Sequence, residues 1–254
     1  MERRLNPDTP LSKVRIASVP YLNAAPLVHG LPDIRSAVPS KLAHWLDSGE
    51  CDLAVLSIGA ALERPDWRVL PDLGVAADGA VRTVLVLHPG PLDKIRRLRL
   101  DPASRTSNIL ARIVVEEASG AAPEIADDAQ ARVVIGDPAF AHDPDREGTD
   151  LALAWKRLTG LPMVFAGWIA GRRLSQDPIL LQETRVALLE AWRANMADLT
   201  EIVESQAVVA PETARAYFQE NIHYPLDERF HAGADLFARK AAALGFGSGS
   251  VPWA

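Results

Sequence analysis

Three polar clusters sit where short apolar runs end: Tyr21-Leu22-Asn23 after residues 14–19, Ser104-Arg105-Thr106-Ser107 after residues 98–100, and Gly136-Asp137 after residues 132–135. The position matters because open α/β sheets bind ligands outside the carboxyl ends of their strands. An asparagine amide both donates and accepts, so Asn23 can orient or polarise a hydroxyl. The hydroxyls of Ser104, Thr106 and Ser107, together with the free N–H groups of a helix start, suit a carboxylate. Plain helix capping explains the same residues, and spacing leaves the two roles open. Asp137 precedes Pro138 and can cap a short helix as readily as touch a ligand. Asn23 can equally be a turn residue.

Other chemistries find no pattern. The six histidines, at 29, 44, 88, 142, 223 and 231, form no His-x-x-x-His pair, and the single Cys51 has no partner for a Cys-x-x-Cys pair or a disulfide. Cys51 reads as a small core residue before an apolar run. The acidic stretch 143–147 lacks the glycine and spacing of a calcium loop. No Gly-x-Ser-x-Gly elbow or phosphate-binding Walker loop occurs. Neither a metal nor a cofactor is therefore expected. The net charge is −6, and the one basic cluster, residues 94–99, alternates with apolar residues like a solvated strand edge. Nucleic acid is not an expected partner. No window approaches the roughly 18 apolar residues that span a bilayer. The charged opening residues lead into no apolar stretch, so no secretory leader and a cytoplasmic location are expected.

The elements that would position these clusters can be read from period and punctuation. Residues 14–19 make a strand that Pro20 stops. Ser40 opens a helix over 41–48 with Gly49 as its left-handed stop. Strands follow at 52–56, 81–87, 98–100, 132–135 and 162–168, with helices at 108–119 and 150–158 between them. After Trp168 only helices remain. One spans 178–206, with Leu181, Leu188, Trp192, Met196, Leu199 and Val203 on one face. A second starts at Pro211, and a third spans 227–244. The glycines of 245–249 imitate a nucleotide loop, but they follow a helix rather than a strand and read as a tail. This order predicts an α/β protein whose helical C-terminal part packs back on one lobe. If two-lobed, the chain would cross near Pro89 and Trp168. Lobe 1 would then hold 1–88 and 169–254, and lobe 2 would hold 89–168.

Several segments are similar to the menaquinone-biosynthesis family that includes chorismate dehydratase. They begin with Ser18-Val19-Pro20-Tyr21-Leu22-Asn23-Ala24-Ala25-Pro26-Leu27 and Gly49-Glu50-Cys51-Asp52-Leu53-Ala54. They continue through Asp101-Pro102-Ala103-Ser104-Arg105-Thr106-Ser107 and Ile135-Gly136-Asp137-Pro138-Ala139. The strongest are Asp150-Leu151 through Trp155, then Thr159-Gly160-Leu161-Pro162-Met163-Val164-Phe165-Ala166-Gly167-Trp168. Six motifs in order, from about residue 14 to 246, make the match specific. The resemblance implies a two-lobed, type II periplasmic-binding-protein-like fold with a ligand cleft between the lobes. It implies chorismate as a small-molecule substrate, dehydrated to 3-[(1-carboxyvinyl)oxy]benzoate on the futalosine route, without a cofactor.

By the same resemblance Asn23 matches the family's asparagine implicated in catalysis. Thr83 stands where the family usually has serine, which keeps the hydroxyl and adds a methyl. Tyr21, Ser57, Ser104, Arg105, Thr106, Ser107 and Asp137 are the expected substrate contacts. The acidic residue the family often carries shortly after the Ser57-Ile58 position is absent, since Ala60 and Ala61 stand there. No His, Lys or Glu stands out as a base, which favours the substrate's own enolpyruvyl carboxylate in that role. Two other functions fit the same fold. One is the sister enzyme that forms 1,4-dihydroxy-6-naphthoate, and the other is a non-catalytic binder of a small carboxylate. Nothing in the sequence sets the oligomeric state.

Overall fold

Apolar runs without alternation dictate the centre of the molecule. Leu53-Ala54-Val55-Leu56 and Met163-Val164-Phe165 turn no polar side chain toward water, so strands built from them must be covered on both faces. All of these residues are buried. The computed structural model describes residues 9–254, and the charged opening residues 1–8 lie outside the described residues.

The strands in chain order are β1 (Ile16–Ser18), β2 (Arg35–Ser36), β3 (Leu53–Ser57), β4 (Arg68–Ala77), β5 (Val84–Leu87), β6 (Arg97–Leu98), β7 (Glu124–Ile125), β8 (Arg132–Ile135), β9 (Gly148–Asp150), β10 (Met163–Ala170) and β11 (His223–Pro225). Six of them form the first sheet in the order β11-β4-β10-β3-β1-β2. In it β1 runs parallel to β2 and β3, and β10 runs antiparallel to β3 and β4. The second sheet has the order β8-β5-β9, with both pairs antiparallel. The parallel pair β6-β7 joins its edge through a bridge between Arg99 and Arg132. There the Arg99 N–H donates to the Ala131 carbonyl at 2.9 Å and the Val133 N–H donates to the Arg99 carbonyl at 2.9 Å.

Sheet membership changes earlier than the crossings expected at Pro89 and Trp168. β5 pairs only within the second sheet and β10 only within the first, so the chain passes between sheets at residues 78–83 and again just before Met163. An apolar run announces a strand but not its partner, and pairing alone decides which lobe it joins.

The helices follow their caps. Pro39–Ser48 ends at Gly49, with φ 73°. Arg105–Ser119 begins under Ser104, whose hydroxyl accepts from the Ser107 N–H, and stops at Gly120. Leu151–Thr159 begins under Asp150, which accepts from the Ala152 and Leu153 N–H groups, each at 3.0 Å. Glu228–Ala243 begins under Asp227. The single helix expected over 178–206 is two: Pro178–Ala197 and Thr200–Glu204. The Asp198 carboxylate takes the Thr200 N–H at 3.0 Å, and this local bond competes with the helix ladder and restarts it. Beyond Pro211–Ala216 the chain widens into a π-turn, Tyr217–Asn221.

The glycine-rich end behaves as a tail. It returns to β4, where the Val69 N–H donates to the Pro252 carbonyl at 2.8 Å and Trp253 Nε1 donates to Asp235 at 3.2 Å. Cys51 is buried, and burial pushes its thiol up to about 12. Among the described residues no helix is long and apolar enough to cross a membrane.

Candidate functional site

Proline ends β1 two residues past Ser18, and the chain turns into the 3-10 stretch Leu22–Ala24. That turn carries Tyr21 and Asn23 to the first sheet's edge of the gap between the lobes. From the other side β8 ends at Gly136, whose φ of 63° favours glycine, and Asp137 opens a 3-10 turn, Asp137–Ala141. The two turns meet. The Leu22 N–H donates to Asp137 Oδ1 at 3.1 Å. A Cβ on Gly136 would lie 3.5 Å from the Tyr21 ring, so the ring covers the bare backbone there. These contacts join the two turns across the gap at this point. Burial raises the Asp137 carboxyl above its ordinary range, and the Leu22 N–H partly offsets that. Burial raises the Tyr21 hydroxyl as well, with help from the Asp101 and Asp137 charges.

Thr83 enters the same place from the start of β5. It follows Arg82, a non-glycine residue at φ 68°. That backbone is strained, and Asp150 holds it: the Arg82 N–H donates to Asp150 Oδ2 at 2.8 Å. Asp150 is 6% exposed and its carboxyl titrates high through burial, although four backbone N–H groups favour its ionised form. The Thr83 carbonyl accepts from the Gly136 N–H at 2.8 Å. Its hydroxyl lies 2.6 Å from the Tyr217 hydroxyl. Both residues are buried, and the Phe140 ring meets the Tyr217 ring edge-on at 5.1 Å. Burial pushes the Tyr217 hydroxyl well up, while the Thr83 and Asn23 side chains pull the other way. Tyr224 donates to the Asn23 carbonyl at 3.1 Å, which fixes that turn from behind.

Asn23, Thr83 and Tyr217 therefore form one cluster of neutral hydrogen-bonding groups, bordered by Tyr21 and Asp137. Tyr217 and Tyr224 carry no signal in the sequence. They sit far along the chain, and a π-turn has no reliable residue pattern, although such turns often mark functional sites.

The serine-rich turn divides differently from expectation. Thr106 is 1% exposed, and its hydroxyl donates to the Phe165 carbonyl at 3.0 Å while accepting from the Gly59 N–H at 2.9 Å. Its one proton is engaged, so the side chain has none to offer a carboxylate. Gly59 is bare for this contact, since a Cβ would lie 3.0 Å from the Thr106 nitrogen. Ser104 acts as the helix cap, at 3.1 Å from the Ser107 N–H, and Ser107 is buried. The Arg105 guanidinium pairs with Glu63 at 2.6 Å. Ser57, Ser104 and Arg105 line an open cavity of about 1050 Å³, whereas Tyr21, Asn23, Thr83, Thr106, Ser107 and Asp137 do not. The expected site residues thus fall into an inner cluster of Tyr21, Asn23, Thr83 and Asp137 and an outer groove along Ser57, Ser104 and Arg105, while Thr106 and Ser107 are buried in the packing of the turn. The inner cluster can bind and orient hydroxyl, ether and carboxylate oxygens by hydrogen bonding. Among the described residues no group of three His, Cys, Asp or Glu side chains could hold a metal ion.

Comparison with known proteins agrees with this architecture. A family profile described as menaquinone biosynthesis matches residues 14–243. A chorismate dehydratase of Thermus thermophilus is 33% identical over 253 residues, covering 86% of this chain and 91% of that protein. A solved protein from Archaeoglobus fulgidus superposes with a TM-score of 0.67 at 17% identity, covering 91% of this chain and 97% of the other. A Candida albicans protein described as having the generic periplasmic binding protein fold superposes with a TM-score of 0.59 at 13% identity, covering 92% of each chain. The architecture is the two-lobed periplasmic-binding-protein-like fold, with its cleft between the lobes.

Proposed function

The chain belongs to the menaquinone-biosynthesis family, and from that premise we propose that it is a hydro-lyase that removes water from chorismate to give 3-[(1-carboxyvinyl)oxy]benzoate. The observation that carries this reading is the Asn23–Thr83–Tyr217 cluster at the meeting of the two lobes, with Thr83 and Tyr217 buried. The reaction breaks the C3–H and C4–O bonds and makes the ring aromatic, so it runs downhill. What it needs is a fixed substrate pose, support for the departing hydroxyl, and exclusion of water. Asn23 and Thr83 supply hydrogen bonds to the ring substituents, and Tyr217 fixes the direction of the Thr83 hydroxyl. Ser57 and Ser104 contact a carboxylate from the groove side, and Tyr21 closes over the ring. Arg105 and Ser107 shape the turn rather than touch the ligand, the first through Glu63 and the second through the Ser104 cap.

The proton at C3 passes to the substrate's own enolpyruvyl carboxylate, folded over the ring, and leaves with the hydroxide as water. Asp137 is the protein carboxylate that borders the cluster, and its contact with Leu22 gives it the closing role instead. A cytoplasmic location fits a biosynthetic reaction of this kind. The test is to incubate the protein with chorismate and separate the products by chromatography with mass detection, with Asn23→Ala beside it. We expect an aromatic dicarboxylate lighter by one water, and a loss of about 100-fold or more in the variant. Turnover by Asn23→Ala equal to that of the parent would remove Asn23 from the mechanism.

A further inference from the structure

The outer groove is lined by five arginines, Arg64, Arg99, Arg105, Arg112 and Arg132, against two carboxylates, Asp101 and Asp127. This excess stands in a chain whose net charge is −6. Arg64 pairs with Asp47 at 3.1 Å and Arg105 with Glu63 at 2.6 Å. Arg99, Arg112 and Arg132 make no ion pair among the described residues. The field of Arg132 helps lower the Glu147 carboxyl, but Glu147 bonds His142 and the Asp143 N–H instead.

Two further features set these three apart. Arg99 and Arg132 are direct partners across the bridge that joins β6 to β8, and like charges placed side by side on neighbouring strands repel. Arg112 stacks its guanidinium 5.2 Å from the centre of the Phe246 ring, while its Nε is buried without a hydrogen-bond partner. A bound carboxylate would relieve both, because the guanidinium fork matches a carboxylate and each anionic charge offsets the repulsion.

We propose that Arg99, Arg112 and Arg132 form a capture wall for the dianion of a dicarboxylate, holding it in the outer groove before it moves on to the inner cluster. The inference rests on the dicarboxylate reading of the cleft given above. The wall meets the ligand first, along the groove that Ser57 and Ser104 share. Its low-dielectric sides focus the positive field toward the opening.

The probe is isophthalate, an unreactive aromatic dicarboxylate, titrated into the full chain by calorimetry at ionic strengths of about 0.02 and 0.3 M. For the parent we expect affinity to fall about five-fold or more with salt. The double variant Arg99→Gln/Arg132→Gln should bind about ten-fold more weakly at low salt and lose most of the salt dependence. Arg193→Gln, an exposed change on the helix Pro178–Ala197 that removes one positive charge elsewhere, should behave as the parent does. Equal affinity and an equal salt slope in the double variant would overturn the wall, as would salt-independent or absent binding in the parent. Chorismate turnover, measured separately, speaks to the other proposal. Turnover without salt-dependent capture removes the wall alone, and capture without turnover removes the dehydratase alone.

Discussion

The hydroxyls of Thr83 and Tyr217 stand 2.6 Å apart, and both residues are shut away from bulk water. A threonine loses little freedom in such a place, because its branched Cβ already restricts χ1. Tyr217→Phe keeps the ring against Phe140 and removes only the oxygen. We expect kcat to fall about 10- to 100-fold with KM changed by less than about three-fold, since the oxygen acts through Thr83. Steady-state kinetics with chorismate checks this, and a double cycle with Thr83→Ala should show the two losses to be less than additive. Asp137 gives a pH prediction. Its carboxyl is raised by burial, while the Leu22 contact favours the ionised form. The closing contact is therefore complete above that raised pKa and weakens as pH falls through it. The acid limb of kcat/KM should lie above the ordinary carboxylate range of about 3.9. Asp137→Asn can still accept from Leu22, so it should remove that limb and keep turnover within about ten-fold, whereas a base would cost about 100-fold or more. At this scale Asn23, Thr83 and Asp137, which the family resemblance names, lie together in the structure. Tyr217 was not legible in the sequence, because its partner Thr83 is 134 residues away and no local spacing encodes that contact.

Elements carry these residues to one another through a few backbone contacts. Asp150 caps Leu151–Thr159 and also holds the Arg82 N–H at 2.8 Å, so one carboxylate fixes a helix start and the strained approach to Thr83. Asp150→Ala should cost about 2–4 kcal/mol in a denaturant titration, from a lost cap and an unpaired N–H beside it. It should also lower kcat of the folded fraction, since Arg82 would relax away from φ 68° and move Thr83. The approach of Ile58–Ala61 to Arg105–Ser119 is equally particular. Gly59→Ala would set a Cβ 3.0 Å from the Thr106 nitrogen, and a backbone neighbour yields poorly. We expect a loss of about 1–3 kcal/mol, read from the same titration. The caps Ser104, Asp150 and Asp227 and the stops Gly49 and Gly120 were legible because they are local chemistry. Ser40 was not the opening residue expected: its helix begins at Pro39 after Val38, with no side-chain cap, so Ser40 lies inside it. The break after Ala197 was not legible, because an apolar face continues through it to Val203 while the Asp198 carboxylate diverts the next N–H. The engagement of the Thr106 hydroxyl was not legible for a related reason. A hydroxyl at a helix start looks free until the neighbouring lobe is known to use it.

The whole molecule is built on two main sheets and the small β6-β7 pair, whose strands the chain visits out of order, and this is where sequence reading stops. The α/β class and the two-lobed form were legible from alternating elements and from the resemblance. The placement of β5 and β10 was not, because pairing between distant segments leaves no periodicity. One buried charge braces the first sheet. Asp52 is 1% exposed and is held by Arg15 at 2.7 Å and Arg173 at 2.6 Å, tying the starts of β1 and β3 to the end of β10. Burial alone would raise its carboxyl, but the two guanidinium groups outweigh that and hold it well below the usual range. A depressed carboxyl stabilises the fold fully above its unfolded value of about 3.9 and loses that contribution as pH falls toward the folded value. Asp52→Asn should therefore cost about 2 kcal/mol or more at neutral pH and make stability less steep between about pH 5 and 2, as thermal melting across pH would record. The enzyme reading itself depends on one reaction. Chorismate incubated with the protein should yield an aromatic dicarboxylate lighter by one water, at a rate proportional to protein and absent from buffer. Chorismate bound but recovered unchanged would contradict the account and leave a binding protein in its place.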